Sequence, residues 1–398
     1  MSLSSCGLIV EYNPLHNGHL YHIKKAREET QADCLVAVMS GNFLQRGEPA
    51  ILDKWKRAEI ALLAGADLVI ELPFASAVQS ADYFAHGSIQ ILQALNVDFL
   101  CFGTDSKEKL DYATFGLTHK IYESQINQRY QEMKNNGMSY PQQMTTIYRE
   151  IIPNWPLDFS SPNHILGMSY AKENAKYKQP MTLFPIKRQG SGYHDETVNK
   201  TEFSSATSIR KIMLEDTKRI NEIKSSISPH TYHQLSTSRL ASWDVAWPYL
   251  KYAILTLSYQ ELANIYQMTE GIEYRIKDCA KKAISFSQFV ELVKTKRYTW
   301  TRIQRLATYI LNHISLENIK KNKENPYIRV LGFNDMGRSY LRQEKKQCLY
   351  PIITKIDRKN EESASLDIKV GEVYNLITGS KDPQDYYRSP IYVKGERV

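Results

Sequence analysis

Two histidines near the start of the chain have the type and spacing of residues that act on phosphate. His16 and His19 stand three residues apart around Asn17-Gly18, just after the turn dipeptide Asn13-Pro14. Imidazoles in this position can donate hydrogen bonds to phosphate oxygens while negative charge builds up at a phosphorus under attack. Gly18 has no side chain, so a nucleotide can approach the backbone closely. The pattern predicts chemistry at a nucleotide phosphate, with His16 and His19 as the catalytic pair.

A predicted strand and a predicted helix must position these histidines. Leu8 to Val10 form an apolar run typical of a buried strand, and a helical pattern opens with Leu20, Ile23 and Ala26. A helix N-terminus carries unpaired N–H groups and a partial positive charge, which attract phosphate. The strand before and the helix after make the four-residue pattern His-x-Gly-His more specific than it is alone.

The histidine spacing is also compatible with two alternatives to a phosphate-binding site. One is an ordinary strand-to-helix turn with two surface histidines. The second is a metal site, because His16, His19 and His22 are evenly spaced. No acidic or thiol side chain adjoins them to complete a ligand set, so the sequence predicts no metal site.

Apolar strand patterns alternate with amphipathic helices through the first half of the chain. This alternation predicts an α/β class domain with a Rossmann-like parallel sheet and right-handed crossovers. Ligands of such sheets lie at the carboxyl ends of the strands, so the 42–46 loop and Gly103 should share one rim with the histidines. Further strands are expected at 33–39, 67–73, 97–102 and 181–186, and helices at 53–63 and 81–95.

A second phosphate-binding pattern precedes the middle of the chain, where Ser204-Ser205-Ala206-Thr207-Ser208-Ile209-Arg210 enters a helix. Hydroxyl groups at a helix N-terminus, with an arginine on the first turn, suit a polyphosphate. A serine-rich capped helix is the alternative that this segment leaves open by itself. The candidate phosphate ligands are Ser205, Thr207 and Arg210.

Beyond residue 215 the strand–helix alternation stops and helical patterns dominate, so we predict two domains, 1–215 and a mainly helical 216–398. The stretch 294–305 holds five basic residues, two aromatic residues and no acidic residue. Basic side chains can hold RNA phosphates while Tyr298 or Trp300 stacks on an unpaired base. A solvated helix with its aromatic residues in the core is the alternative. The candidate RNA-binding residues are Lys294, Lys296, Arg297, Tyr298, Arg302 and Arg305.

Composition narrows the class of protein further. Of the 398 residues, 42% are hydrophobic, which is typical of a globular protein. The formal net charge of +8 favours an anionic partner. The five cysteines are odd in number and form no Cys-x-x-Cys pair, which fits a reducing cytoplasm better than a disulfide framework. The chain shows no signal-peptide pattern and no apolar run of membrane-spanning length.

The motifs together resemble the bacterial tRNA(Met) cytidine acetate ligase family of the HxGH nucleotidylyltransferases. The resemblance covers essentially the whole chain and is carried by the strings at 11–19, 42–54, 161–163, 296–299 and 329–334. It implies that acetate and ATP form acetyl-adenylate and pyrophosphate, without acetyl-CoA. The acetyl group then passes to N4 of the wobble cytidine (C34) of elongator tRNA(Met), giving N4-acetylcytidine. Mg²⁺ is expected with ATP, and no protein partner is evident.

By motif position, the resemblance also implies an ATP site. Leu15 stands where many relatives are expected to have phenylalanine, a conservative change that leaves the expected chemistry intact. The implied ATP contacts are Leu8, Ile9, Val10, Glu11, Tyr12, Asn13, Pro14, Leu15, His16, Asn17, Gly18, His19, Leu20, Tyr21, Gly103, Asn163 and Arg188.

Two rival functions share part of these features. An adenylyltransferase for a small phosphorylated cofactor precursor has both nucleotide motifs but typically needs only one compact domain, so the basic helical half argues against it. A non-catalytic nucleotide-sensing or RNA-binding module would not require His16, His19 and Arg210 together.

Overall fold

A computed structural model of the chain describes residues 2–105, 110–133, 138, 140–152, 161–188 and 204–394. Its centre is one eight-stranded sheet with the strand order β5-β4-β1-β2-β3-β6-β7, and β8 pairs with β6 beside this path. The strands are β1 (Ser5–Val10), β2 (Cys34–Ser40), β3 (Leu68–Leu72), β4 (Phe99–Thr104), β5 (Thr182–Lys187), β6 (Ile328–Phe333), β7 (Ile352–Ile353) and β8 (Ile391–Tyr392).

Strands β1 to β5 are mutually parallel, which confirms the predicted α/β sheet. Four of the five predicted strands lie within about two residues of an observed one, and β1 begins at Ser5, before the predicted run that opens at Leu8. The sheet does not end at the predicted domain boundary, however. Strand β6 comes from the second predicted domain and pairs antiparallel with β3. Because 328–333 is a single apolar run without a neighbouring strand pattern, the sequence could not indicate where it pairs.

Helices surround the sheet and fill most of the second half of the chain, as expected. A 3-10 helix covers Thr217–Ser226. The α-helices are α1 (Asn17–Thr30), α2 (Lys54–Leu63), α3 (Phe74–Ala77), α4 (Ala81–Ala94), α5 (Tyr112–Met133), α6 (Tyr140–Ile151), α7 (Pro162–Asn174), α8 (Ala206–Glu215), α9 (Pro229–Thr237), α10 (Trp243–Thr256), α11 (Tyr259–Ala263), α12 (Ile272–Lys282), α13 (Phe286–Val293), α14 (Trp300–Leu311), α15 (Leu316–Glu324), α16 (Asp335–Glu344) and α17 (Glu361–Thr378).

Successive side chains of a strand point to opposite faces of the sheet, and here both faces are buried. On β2, Val36 and Val38 join a core with helices α4, α5 and α7. Leu35 and Ala37 of the same strand join a second core with α1, α2 and α8. This double burial fixes α1 against the sheet, so its N-terminus is held at the carboxyl end of β1.

A third core joins the helical region to the sheet domain. It contains residues of α10, α12, α13, α14 and α17, with Trp243 and Phe286 stacked at 4.1 Å between ring centroids. Phe43, Phe74 and Val78 from the first half of the chain belong to the same core. The helical region therefore packs directly against the loop after β2 and against α3. No helix in the described part of the chain is long and apolar enough to cross a membrane.

Candidate active site

The two histidines of the His-x-Gly-His motif are oriented by hydrogen bonds to the backbone at the start of α1. His16 is the N-cap residue, and its Nδ1 accepts a hydrogen bond from the Gly18 backbone N–H at 3.0 Å. The His16 backbone N–H donates to His19 Nδ1 at 3.3 Å. The two ring centroids are 3.9 Å apart. The predicted catalytic pair is thus brought together by the cap of the helix itself.

These hydrogen bonds determine which ring nitrogen carries the proton. Because Nδ1 of each ring accepts, the hydrogen of each neutral ring must lie on Nε2. Burial, aided by the charges of Arg188 and Arg210, lowers the pKa of His16 to about 3. Burial and the neighbouring His16 also hold the pKa of His19 well below its usual value. Both rings are therefore neutral near pH ~7 and offer Nε2–H as the donor.

The second phosphate motif, at the start of α8, contacts the segment just before the His-x-Gly-His motif. Ser205 is the N-cap of α8, and its hydroxyl accepts from the Ser208 backbone N–H at 3.1 Å. Arg210 on the first turns of α8 donates to the Asn13 carbonyl at 2.8 Å. Thr207 is exposed at the same helix N-terminus. The structure therefore places Arg210 against the segment that precedes His16, with Ser205 and Thr207 at the N-terminus of the same helix.

Gly103 and Arg188 form the opposite side of the rim, at the carboxyl ends of the neighbouring strands β4 and β5. The Arg188 backbone N–H donates to the Thr104 carbonyl at 3.0 Å. A Cβ on Gly103 would lie 3.3 Å from Cγ of Arg188, so the glycine lets the Arg188 side chain pack closely against β4. Asn163, on the first turn of α7, donates to Asp105 at 3.1 Å, and Ser161 is the N-cap of that helix.

The predicted ATP segment 8–21 divides into buried and accessible residues. The side chains of Leu8, Val10, Tyr12 and Leu15 belong to the core beneath the site. The Tyr12 ring meets the His19 ring edge-on at 5.1 Å and supports it. The partly exposed members of the segment are Ile9, Glu11, Asn17, Gly18, His19, Leu20 and Tyr21, and Asn13, Pro14 and His16 are buried.

Two residues absent from the sequence-based set fix the loop after β2. The buried Arg57 of α2 donates to the carbonyls of Glu11, at 2.7 Å, Ser40, at 3.0 Å, and Gly41, which binds the ends of β1 and β2 together. Glu48 pairs with Arg210 at 3.3 Å. The sequence feature that could have indicated the role of Arg57 is its position one turn before Ala61, as a basic residue on the apolar face of α2.

The predicted RNA-binding stretch is only partly accessible. Lys294, Lys296 and Arg297 are exposed, and Arg297 pairs with Glu270 at 2.8 Å. Tyr298 is 7% exposed, and its hydroxyl donates to the Thr269 carbonyl at 2.9 Å.

The aromatic and arginine side chains at the start of α14 pack inward. The Arg302 guanidinium covers the Tyr298 ring at 4.2 Å from its centroid. This geometry favours the core alternative for Tyr298 over stacking on a base. Arg305 is also largely enclosed, and its backbone lies against Gly47 of the loop after β2. Among the described residues, no three histidine, cysteine or acidic side chains come close enough together to hold a metal ion.

Comparison with known proteins identifies the class to which this site belongs. Residues 3–388 match the family model described as HIGH Nucleotidyl Transferase. The chain is thus a member of the HIGH nucleotidyl transferases, named after the motif formed here by residues 16–19.

Curated relatives and solved structures place the chain more narrowly. It is 40% identical over 395 residues to the tRNA(Met) cytidine acetate ligase of Oceanobacillus iheyensis, with 98% of each chain covered. The Bacillus subtilis enzyme of the same name is 40% identical over 407 residues, covering 98% of this chain and 97% of that one. Thermotoga maritima TmcAL superposes with a TM-score of 0.89 at 32% identity in its apo form, over 99% of this chain and 100% of that one. Its complex with alpha-thio ATP gives a TM-score of 0.87 at 31% identity, with the same coverage. The chain belongs to the tRNA(Met) cytidine acetate ligase family.

Proposed function

We propose that this protein is an ATP-dependent ligase that joins acetate to AMP and transfers the acetyl group to N4 of the wobble cytidine of elongator tRNA(Met). The observation that carries the proposal is the pair of neutral histidines, both with Nε2–H free of the hydrogen bonds that orient the rings. This pair lies beside Arg210, within a chain that matches curated ligases of this name over nearly its full length.

In the first half-reaction, one carboxylate oxygen of acetate attacks the α-phosphorus of ATP. A new O–P bond forms, and the bond from the α-phosphorus to the bridging oxygen breaks, so pyrophosphate leaves with the electron pair. His16 and His19 donate Nε2–H to the α-phosphate oxygens as their charge grows. Arg188, Ser205 and Arg210 are the groups proposed to hold the leaving pyrophosphate. Mg²⁺ would be held mainly by the phosphates, since it keeps several waters in such sites.

In the second half-reaction, the exocyclic amine of cytidine attacks the carbonyl carbon of acetyl-adenylate. The C–N bond forms, the bond from the carbonyl carbon to the AMP oxygen breaks so that AMP leaves with the electron pair, and the amine gives one proton to solvent water. The tRNA would be held by the exposed cations Lys294, Lys296 and Arg297, with Arg302 beside them. These cations lie just before α14 and on its first turn, where they would contact backbone phosphates, and Arg297 would leave Glu270 to do so. Such a reaction on tRNA is proposed to take place in the cytoplasm.

Acetate-dependent exchange of pyrophosphate into ATP tests the first half-reaction without tRNA. We expect exchange with acetate and ATP alone, and N4-acetylcytidine only when tRNA(Met) is added. Formation of an adenylylated nicotinamide or pantetheine precursor, with no acetyl-adenylate detected by mass spectrometry, would instead establish the cofactor adenylyltransferase.

A further inference from the structure

Asn13 carries a buried hydrogen-bond donor whose purpose the fold does not explain. The residue is 4% exposed, and its Nδ2 has no hydrogen-bond partner among the described residues. An unpaired buried donor of this kind lowers stability, and such groups are rare in folded proteins. A donor kept at this cost, three residues before a catalytic histidine, points to an acceptor that the substrate supplies.

The remaining polar atoms of Asn13 fix the direction of its amide. Its Oδ1 accepts from the Ile51 backbone N–H at 2.7 Å, and its carbonyl accepts from Arg210 at 2.8 Å. Exchanging the amide oxygen and nitrogen would turn an N–H group toward the Ile51 N–H, so the observed orientation is the stable one. Asn13 is thus anchored at two points, and only its NH₂ group remains for a ligand.

The surroundings suit a carboxylate. Arg210, bound to the Asn13 carbonyl, also pairs with the Glu48 carboxylate at 3.3 Å, with both side chains partly exposed. The positive charge of Arg210 offsets the negative charge of Glu48, so an anion bound at Asn13 does not face an unpaired carboxylate. It lies between the carboxyl end of β1 and the loop after β2, the edge at which parallel sheets bind ligands.

We propose that Asn13 Nδ2 holds the carboxylate of the acetate substrate, an inference that rests on the proposed function. One acetate oxygen accepts from Nδ2, and the other is directed at the α-phosphorus near His16 and His19. A neutral amide can orient a carboxylate without neutralising it, so the attacking oxygen keeps more of its nucleophilicity than it would beside a lysine. Asn13 would then be a substrate-binding residue of the adenylation step.

The test compares Asn13→Ser and Asn13→Asp in acetate-dependent ATP–pyrophosphate exchange. The serine variant removes the NH₂ donor without adding charge. The aspartate variant keeps the acceptor for Ile51 but places an anionic oxygen against acetate. Loss of a hydrogen bond to a charged group should raise the acetate KM ~10-fold to ~100-fold, more in the aspartate variant, while the ATP KM of the serine variant changes little.

Asn174→Ser is the matched control. Asn174, at the C-terminal end of α7, is also buried, but its Oδ1 accepts from the Met181 backbone N–H at 2.9 Å and its Nδ2 donates to the Met181 carbonyl at 2.8 Å. Its loss should lower the melting temperature and leave the acetate KM unchanged.

An unchanged acetate KM in a folded Asn13→Ser protein, or an ATP KM that rises equally, would overturn the inference. Wild-type crystals grown with acetate and a non-hydrolysable ATP decide the matter if the variants do not fold. An acetate oxygen within ~3.2 Å of Nδ2 supports the assignment, and acetate bound elsewhere refutes it. A wild-type protein without acetate-dependent exchange would contradict the proposed function itself.

Discussion

The buried, neutral state of His16 predicts a measurable pH dependence of stability. Its folded pKa of about 3 lies below the ordinary value of 6.5, so the unfolded chain binds a proton first as the pH falls. The stabilisation is complete above pH ~6.5 and is lost progressively below it. At pH ~5, protonation of this one group stabilises the unfolded state by ~2 kcal/mol relative to the folded state. Each pH unit below the unfolded pKa contributes ~1.4 kcal/mol.

Replacing His16 with glutamine isolates this contribution. The side-chain oxygen of glutamine can still accept from the Gly18 N–H, but it does not titrate. Urea unfolding at pH ~8 and pH ~5 gives the loss of unfolding free energy for each protein. The wild type should lose ~2 kcal/mol more than His16→Gln over this interval. The control His233→Gln replaces an exposed histidine and should keep the wild-type pH dependence.

Equal losses in the wild type and His16→Gln would refute the argument. That result would mean that the His16 ring is protonated in the folded protein over this range, or is hydrated there. The ring would then act as a charged group, and the assignment of a neutral Nε2–H donor would have to be abandoned.

Three further results are expected. His19→Ala should lower acetate-dependent ATP–pyrophosphate exchange ~100-fold, as for the loss of one donor to a transition-state charge, and a near-wild-type rate in a folded protein would contradict its catalytic role. Lys296→Ala combined with Arg297→Ala should weaken tRNA binding and flatten its salt dependence in a filter-binding titration, with adenylate formation unaltered. Tyr298→Phe should lower the unfolding free energy by ~1 kcal/mol and leave tRNA affinity unchanged; a selective loss of affinity would instead indicate that the Tyr298 hydroxyl contacts the RNA.

The parts of the fold that follow from local patterns were predictable. The strand Leu8–Val10, the cap at Ser161 and the entry to α8 each depend on neighbouring residues, and the structure has all three. Order along the chain also sufficed to place the loop after β2 and Gly103 on the same rim as the histidines, because parallel strands bring their carboxyl ends to one edge. Local residue types therefore carried most of the information about the nucleotide site.

Contacts between distant parts of the chain could not be predicted in the same way. Pairing of β6 with β3 joins Arg329 and Glu71, which no local periodicity relates. The burial of Tyr298 depends on Thr269 and Arg302, and only the folded helices bring Thr269 to it. A basic and aromatic stretch has the same composition whether its rings face water or the core. The sequence could therefore identify the stretch but not assign its residues to solvent.

The loop after β2 shows why the two halves of the chain must fold together. Helix α14 contacts this loop through Gln304, which donates to the Arg46 carbonyl at 3.1 Å, and through Thr308, which donates to the Gly47 carbonyl. Gly47 has a φ of +86°, and a Cβ there would lie 2.6 Å from the Arg305 backbone. Both the backbone conformation and the lack of space therefore require glycine.

The next residue of the loop, Glu48, pairs with Arg210 of the phosphate motif. A continuous set of contacts therefore runs from the helix at the proposed RNA surface to the guanidinium beside the proposed adenylation site. Because the loop is held between them, α14 helps to keep Arg210 in place. The helical region thus supports the proposed adenylation site as well as the proposed binding of tRNA.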